Sequence, residues 1–189
     1  MKLRNLPNLI CVVRVLLIFP VVSLLLSNQF NWALGIFCIA AISDGVDGFL
    51  AKNYGWESPL GSLLDPLADK LLLVSVYIAS GIQGLVPSWL VVVVILRDVI
   101  IAVGALIYHY RVEPLVGQPL FSSKVNTLLQ FILIIAVMVD IGVYPLSDAL
   151  ITSLIGSVFV TTVWSGYKYV FLWFSHVRYR TAFKSGTSR

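Results

Sequence analysis

The chain has 189 residues, 59% of them hydrophobic and only 12% charged, with a net charge of +4. A soluble domain carries about 25% charged residues, so this composition, with a mean hydropathy of +0.94, excludes an ordinary globular domain and describes a membrane protein. The basic residues are dispersed and cluster only at the ends and in two loops, which suits an anionic leaflet and not nucleic acid.

A spanning helix needs about 20 mostly apolar residues. Six segments qualify, at 6–27, 31–51, 62–83, 87–109, 123–142 and 147–174. No linker divides them, so the chain reads as one domain over 1–189 with a polar tail from about 176 to 189. The first segment, LPNLICVVRVLL onward, superficially resembles a signal peptide. Arg14 interrupts its apolar run, however, and no small-residue cleavage site follows, so it is expected to be a retained helix. Cys11 and Cys38 fall inside apolar helical stretches and are expected to be reduced packing residues. The breaks carry turn chemistry: Ser27-Asn28-Gln29, the Tyr54 to Pro59 loop, Gly81 to Pro87, Glu113 to Pro119, and Gly142 to Pro145.

Lysine and arginine placement sets the expected orientation. None occurs between Arg14 and Lys52, between Lys70 and Arg97, or between Lys124 and Lys168. The turns near 28–31, 82–87 and 142–147 are therefore free of positive charge, while both termini and the other two loops carry nearly all of it. By the positive-inside rule this predicts an all-α integral membrane protein of six transmembrane helices with both termini cytoplasmic. Trp32, Trp89, Tyr144, Tyr167, Tyr169 and Trp173 lie near expected helix ends, as an interfacial aromatic belt requires.

The second and third segments hold residues that a membrane span should not. Asp44, Asp47, Asp65 and Asp69 lie within 26 residues, beside the runs FCIAAI and LLLVSVYIA. A carboxylate at membrane depth costs at least a few kcal/mol and marks a functional site by default. Four together repel unless a positive charge lies among them, and a hard divalent cation that takes carboxylate oxygens is the simplest candidate. The spacings of three and of four put each pair on one helical face. The short connection makes the two helices antiparallel neighbours with the aspartates at the cytoplasmic side. Gly45, Gly48, Ala51, Gly61, Ser62 and Ala68 leave room there for a ligand.

The segment DGVDGFLAKNYGWESPLGSLLDPLAD resembles the signature of the CDP-alcohol phosphatidyltransferase family, D-x2-D-G-x2-A-R-x8-G-x3-D-x3-D. Every fixed position matches except Lys52, where the family has arginine. The likeness extends to LPNLICVVRVLL, LRD and SSKVNT. It implies phospholipid biosynthesis by transfer of a phosphatidyl group from CDP-diacylglycerol to an alcohol, with release of CMP. It also implies that Asp44, Asp47, Asp65 and Asp69 bind Mg²⁺ or Mn²⁺, as a pair of ions, and that Asp69 accepts the proton of the attacking alcohol. Asp44, Gly48, Ala51, Lys52 and Ser58 match donor-nucleotide positions. Lysine gives a point charge where arginine gives a fork, which alters the contact expected at 52. Arg97 and Lys124 resemble acceptor-phosphate positions, although Arg97 has a simpler partner in Asp98. A homodimer is also implied.

LRDVIIAVGALIYHYR and SKVNTLLQ resemble the cardiolipin synthases of the family, whose acceptor is phosphatidylglycerol. The alternative is phosphatidylglycerophosphate synthesis from glycerol 3-phosphate, whose enzymes more typically have glutamate at the place of Asp98 and lysine at that of Asn126. An ion or proton transporter, the reading from another class, needs acids that continue along the helices, and none follows on the third helix past Lys70. A bacterial inner membrane is expected rather than an organelle membrane. Arg14 remains open between structure and function. His109 and His176 are expected to be interfacial, and Asp140 and Asp148 to need only solvation.

Overall fold

The computed structural model describes the backbone of residues 6–54, 61–111 and 121–186, and the side-chain surroundings of 11–43, 67–104 and 121–171. It is all-helical: α1 (Leu6–Leu26), α2 (Phe30–Tyr54), α3 (Gly61–Ile82), α4 (Ser88–Arg111), α5 (Phe121–Gly142) and α6 (Asp148–Gly186). The first five follow the expected segments to within three residues at each end. The last does not stop at 174: α6 continues to Gly186 through most of the expected polar tail.

The chain forms two compact units. One comprises Met1–Ser88 with Phe131–Ile151, the other Trp89–Gln130 with Thr152–Arg189. In the first, α1 packs against both α2 and α3, with Val21, Leu25, Ala33, Phe37, Ala40, Leu72 and Tyr77 buried among them. The Phe37 and Phe131 rings meet at 5.6 Å. The end of α5 comes so close to the start of α2 that a Cβ on Gly142 would collide with Asn31 and Phe30.

Two helix ends in this unit are closed by the same device. Asn28 takes a φ of 60° and Gly84 a φ of 71°. After α1, the Gln29 N–H donates to the Leu24 carbonyl at 2.9 Å and the Asn28 N–H to the Leu25 carbonyl at 3.0 Å. After α3, the Leu85 N–H donates to the Ser80 carbonyl at 2.9 Å and the Gly84 N–H to the Gly81 carbonyl at 3.2 Å. This paired pattern satisfies carbonyls that a helix end otherwise leaves orphaned. The Gln83 amide then joins the two ends, donating to the carbonyls of Leu25 (2.9 Å) and Leu26 (3.2 Å) and to Asn28 Oδ1 (3.1 Å). The helices α1 and α3 therefore run parallel and end at one level, and α2, which returns from α1 after a three-residue turn, runs opposite to both.

Among the described residues, Phe121–Gly142 and Asp148–Phe171 are long and apolar enough to cross a membrane, and Cys11–Leu26 and Phe30–Ser43 are shorter apolar stretches. Only 33% and 17% of the two long stretches are buried by protein. The core helix of a soluble protein would be mostly covered, so this exposed apolar surface is what a membrane-embedded chain presents. Trp32, Trp89, Tyr144 and Tyr167 are likewise exposed. The turn into α6 carries more than solvated acids: Asp140 Oδ1 accepts the Leu146 N–H at 2.7 Å, so this carboxylate ties the turn together. Ser147 caps α6, its hydroxyl accepting the Leu150 N–H at 3.3 Å. Asp148 then lies in the first turn, where a negative charge is favourable.

Candidate active site

The helical backbone settles the level of each aspartate. At about 1.5 Å per residue, Asp69 lies about 20 Å from the end of α3 and Asp44 about 21 Å from the start of α2, both measured from the same end of the unit. Asp47 and Asp65 each lie about 26 Å from that end on the same arithmetic. The backbone thus sets the acids in two tiers one helical turn apart, each tier drawing one residue from α2 and one from α3. The side chains of Asp44, Asp47, Asp65, Gly48, Ala51 and Lys52 lie outside the described residues, and so does Ser58 entirely.

Asp69 is described, and its surroundings contain a residue whose role the sequence left open. Arg14 Nη1 lies 2.8 Å from Asp69 Oδ1; the Arg14 side chain is wholly buried, while that of Asp69 retains 27% of its exposure. Arg14 is about 18 Å from the end of α1, which is the tier of Asp44 and Asp69. A guanidinium so placed cannot remain buried without an anion. The only sequence signal for the pair was a lone arginine in an apolar run. By residue type alone, the four aspartates offer oxygen donors and negative charge without thiolate or imidazole, a chemistry suited to Mg²⁺ or Mn²⁺.

The second unit holds a different polar cluster. Arg97, in the middle of α4, is buried. Its Nη1 lies 2.6 Å from Asp98 Oδ1, and its Nη2 donates to Ser123 Oγ at 2.8 Å and to Ser165 Oγ. Gly166, beside Ser165, lies against the arginine stem. Arg97 Nε–H has no partner among the described residues. The simple pairing of Arg97 with Asp98 is therefore present, together with two serines that the sequence did not single out. Lys124, one residue beyond Ser123, is exposed.

One turn along α5, buried Asn126 accepts at Oδ1 from the hydroxyls of Thr161 and Thr162, both at 2.9 Å. Thr161 also reaches the Ser157 carbonyl at 2.8 Å, so its single proton is shared. Asn126 Nδ2 has no partner among the described residues. Spacings of three, Ser123 with Asn126 and Thr162 with Ser165, are the one signal that could have found these facing polar rows. A cavity of about 360 Å³ beside them is lined by Ser122, Thr161, Trp164 and Lys168 among others. The Lys168 ammonium lies 5.2 Å from the Trp164 ring centre, in cation–π range. Cys11 is buried and Cys38 half-buried, and neither is in a disulfide, as expected of packing residues.

Comparison with known proteins accords with the motif. Residues 4–177 match the family model described as CDP-alcohol phosphatidyltransferase. Cardiolipin synthase (CMP-forming) of Rattus norvegicus is 37% identical over a 148-residue alignment that covers 70% of this chain and 49% of that protein. The Homo sapiens protein of the same name is 35% identical over the same shares. A chloroplastic CDP-diacylglycerol–glycerol-3-phosphate 3-phosphatidyltransferase of Oryza sativa is 34% identical over a 160-residue alignment that covers 74% of this chain and 47% of that protein. The chain spans about half the length of these three relatives. With the family model covering nearly all of it and the aspartate signature carried on α2 and α3, the chain belongs to the CDP-alcohol phosphatidyltransferase family.

Proposed function

We infer that the protein transfers a phosphatidyl group from CDP-diacylglycerol to phosphatidylglycerol, forming cardiolipin and releasing CMP. The observation that carries this reading is the eight-position signature, intact but for Lys52, inside the family match over residues 4–177. The choice of acceptor rests on the name cardiolipin synthase (CMP-forming) borne by two relatives. It also rests on Asp98 and Asn126 in the fourth and fifth helices.

In the reaction the acceptor hydroxyl oxygen bonds to the lipid-side phosphorus of the donor. The bond from that phosphorus to the CMP oxygen breaks, and its electron pair leaves with CMP. Asp44, Asp47, Asp65 and Asp69 would hold Mg²⁺ or Mn²⁺, which supplies positive charge against the pyrophosphate. Asp69 takes the hydroxyl proton, a role that needs reach and a suitable basicity. Lys52 sets a cation beside the pyrophosphate, and Gly48 and Ala51 keep the α2 backbone open to the nucleotide, with Ser58 contributing from the following loop. Arg97 and Lys124 serve the anionic acceptor, and the unpaired Arg97 Nε–H supports that assignment. Six spans, cytoplasmic termini and a bacterial inner membrane complete the reading, with a homodimer as the assembly.

Glycerol 3-phosphate as acceptor is the second reading, and the name of the rice relative favours it. A transporter pathway is disfavoured because the four acids occupy two adjacent tiers and no acid follows on α3 past Lys70. The test is product analysis. Purified protein in mixed micelles with CDP-diacylglycerol and Mg²⁺ is offered phosphatidylglycerol and glycerol 3-phosphate together. Cardiolipin with stoichiometric CMP supports the first reading and phosphatidylglycerophosphate the second. No metal-dependent CMP release with either acceptor refutes both.

A further inference from the structure

We propose that Arg14 is a positioning residue for the transfer reaction, orienting the Asp69 carboxylate through their ion pair so that it meets the acceptor hydroxyl. The proposal rests on the reading of Asp69 as proton acceptor, and its test separates the two.

Three observations lead to it. Arg14 is wholly buried on α1, yet its guanidinium lies 2.8 Å from Asp69 Oδ1, 55 residues away on α3. The tie at the Gln83 end holds α1 and α3 in parallel register, so the level at which Arg14 meets Asp69 is set by the packing of two whole helices. Asp69 keeps 27% of its exposure while its partner keeps none, so the arginine meets the carboxylate from the protein side. An aspartate on a helix has two side-chain torsions to lose, and a carboxylate among other carboxylates is pushed about by their charge. A rigid, planar cation behind it removes both freedoms. Misplacement of a reacting group by about 1 Å can cost about 100-fold in rate, which makes orientation alone a sufficient role.

Arg14→Gln removes the charge and the fork while keeping a shorter polar side chain. Single-turnover CMP release with phosphatidylglycerol should slow about 30- to 100-fold. The apparent affinity for CDP-diacylglycerol should stay within about threefold, because Asp44, Asp47 and Asp65 remain to hold the metal that faces the donor pyrophosphate. Mn²⁺ affinity, read by electron paramagnetic resonance on the purified variant, should be unchanged or tighter, since a cation has been removed from beside the acids. Arg14→Lys should recover part of the rate. Arg14→Gln combined with Asp69→Asn should be no slower than Asp69→Asn alone, the non-additivity expected of residues acting through one another.

A rate for Arg14→Gln within threefold of the parent overturns the proposal. So does a loss of Mn²⁺ and donor affinity in proportion to the rate, which marks a purely structural ion pair, or a double variant slowed by the product of the two single effects. Asp69→Asn turning over near the parent rate instead refutes the assignment of the base itself.

Discussion

Replacing Arg97 by methionine tests the polar cluster of the second unit in stability and in function. Methionine keeps the volume and apolar stem but removes the guanidinium, and with it the 2.6 Å contact to Asp98, the 2.8 Å bond to Ser123 and the bond to Ser165. Hydrogen bonds to a charged group contribute about 1.5–3 kcal/mol each, and removing one member of a buried ion pair costs about 3–5 kcal/mol in all. Arg97 and Asp98 are both well shielded, with 5% and 11% side-chain exposure, so little of this is lost to solvent screening. Arg97→Met should therefore destabilise the protein by about 3–5 kcal/mol, and a chain of this size loses about 2–4 °C of melting temperature per kcal/mol. Thermal unfolding in detergent, followed by tryptophan fluorescence, should show a fall on the order of 10 °C. Ser123→Ala and Ser165→Ala each remove one bond and should cost about 1.5–2 kcal/mol. Lysine at 97 keeps the charge but cannot span an acid and two hydroxyls from one nitrogen, so Arg97→Lys should fall between. If Arg97 also meets the acceptor, Arg97→Lys raises the acceptor KM at least about tenfold, one pairing being worth over 1.4 kcal/mol, with the donor KM unchanged. A melting temperature for Arg97→Met within 2 °C of the parent, measured to about ±1 °C, would refute the claim that this network holds α4, α5 and α6 together.

Asp44→Asn and Asp65→Asn should each yield folded protein with no Mg²⁺-dependent CMP release, because each takes a charge from a set of four carboxylates; substantial turnover at saturating Mg²⁺ sinks the metal assignment. Lys52→Arg should be active and Lys52→Ala poor, with a raised KM for CDP-diacylglycerol, since the pyrophosphate needs a cation there more than it needs a fork; a normal donor KM in Lys52→Ala makes Lys52 a surface-seeking lysine only. Gly142→Ala should destabilise by about 1–3 kcal/mol, because its Cβ would meet the backbone and side chain at the start of α2; an unchanged melting temperature means that the ends of α5 and α2 separate without cost.

The helices and the family are legible in the residues alone, because both are written in contiguous stretches of chain. Apolar runs bounded by Asn28, Gly84 and the prolines near 114–119 locate α1 to α5 closely, since a span must satisfy its own backbone and turn residues act locally. The aspartate signature lies within 26 consecutive residues, so its chemistry could be read before any fold was known. The end of α6 was misjudged for the complementary reason. A polar composition ends an apolar run but not a helix, and the serine- and arginine-bearing stretch after 174 continues helically to Gly186.

Which polar groups meet is fixed by helix packing and not by any contiguous stretch of chain. Arg14 with Asp69, Arg97 with Ser123 and Ser165, Asn126 with Thr162, and Gln83 with the carbonyls of Leu25 and Leu26 join residues 26 to 68 positions apart. Each depends on the rotation of one helix against another. A helix such as α1, apolar around most of its surface, carries no amphipathic stripe from which that rotation could be read. The choice falls to packing, where a buried guanidinium or amide selects the neighbour able to satisfy it.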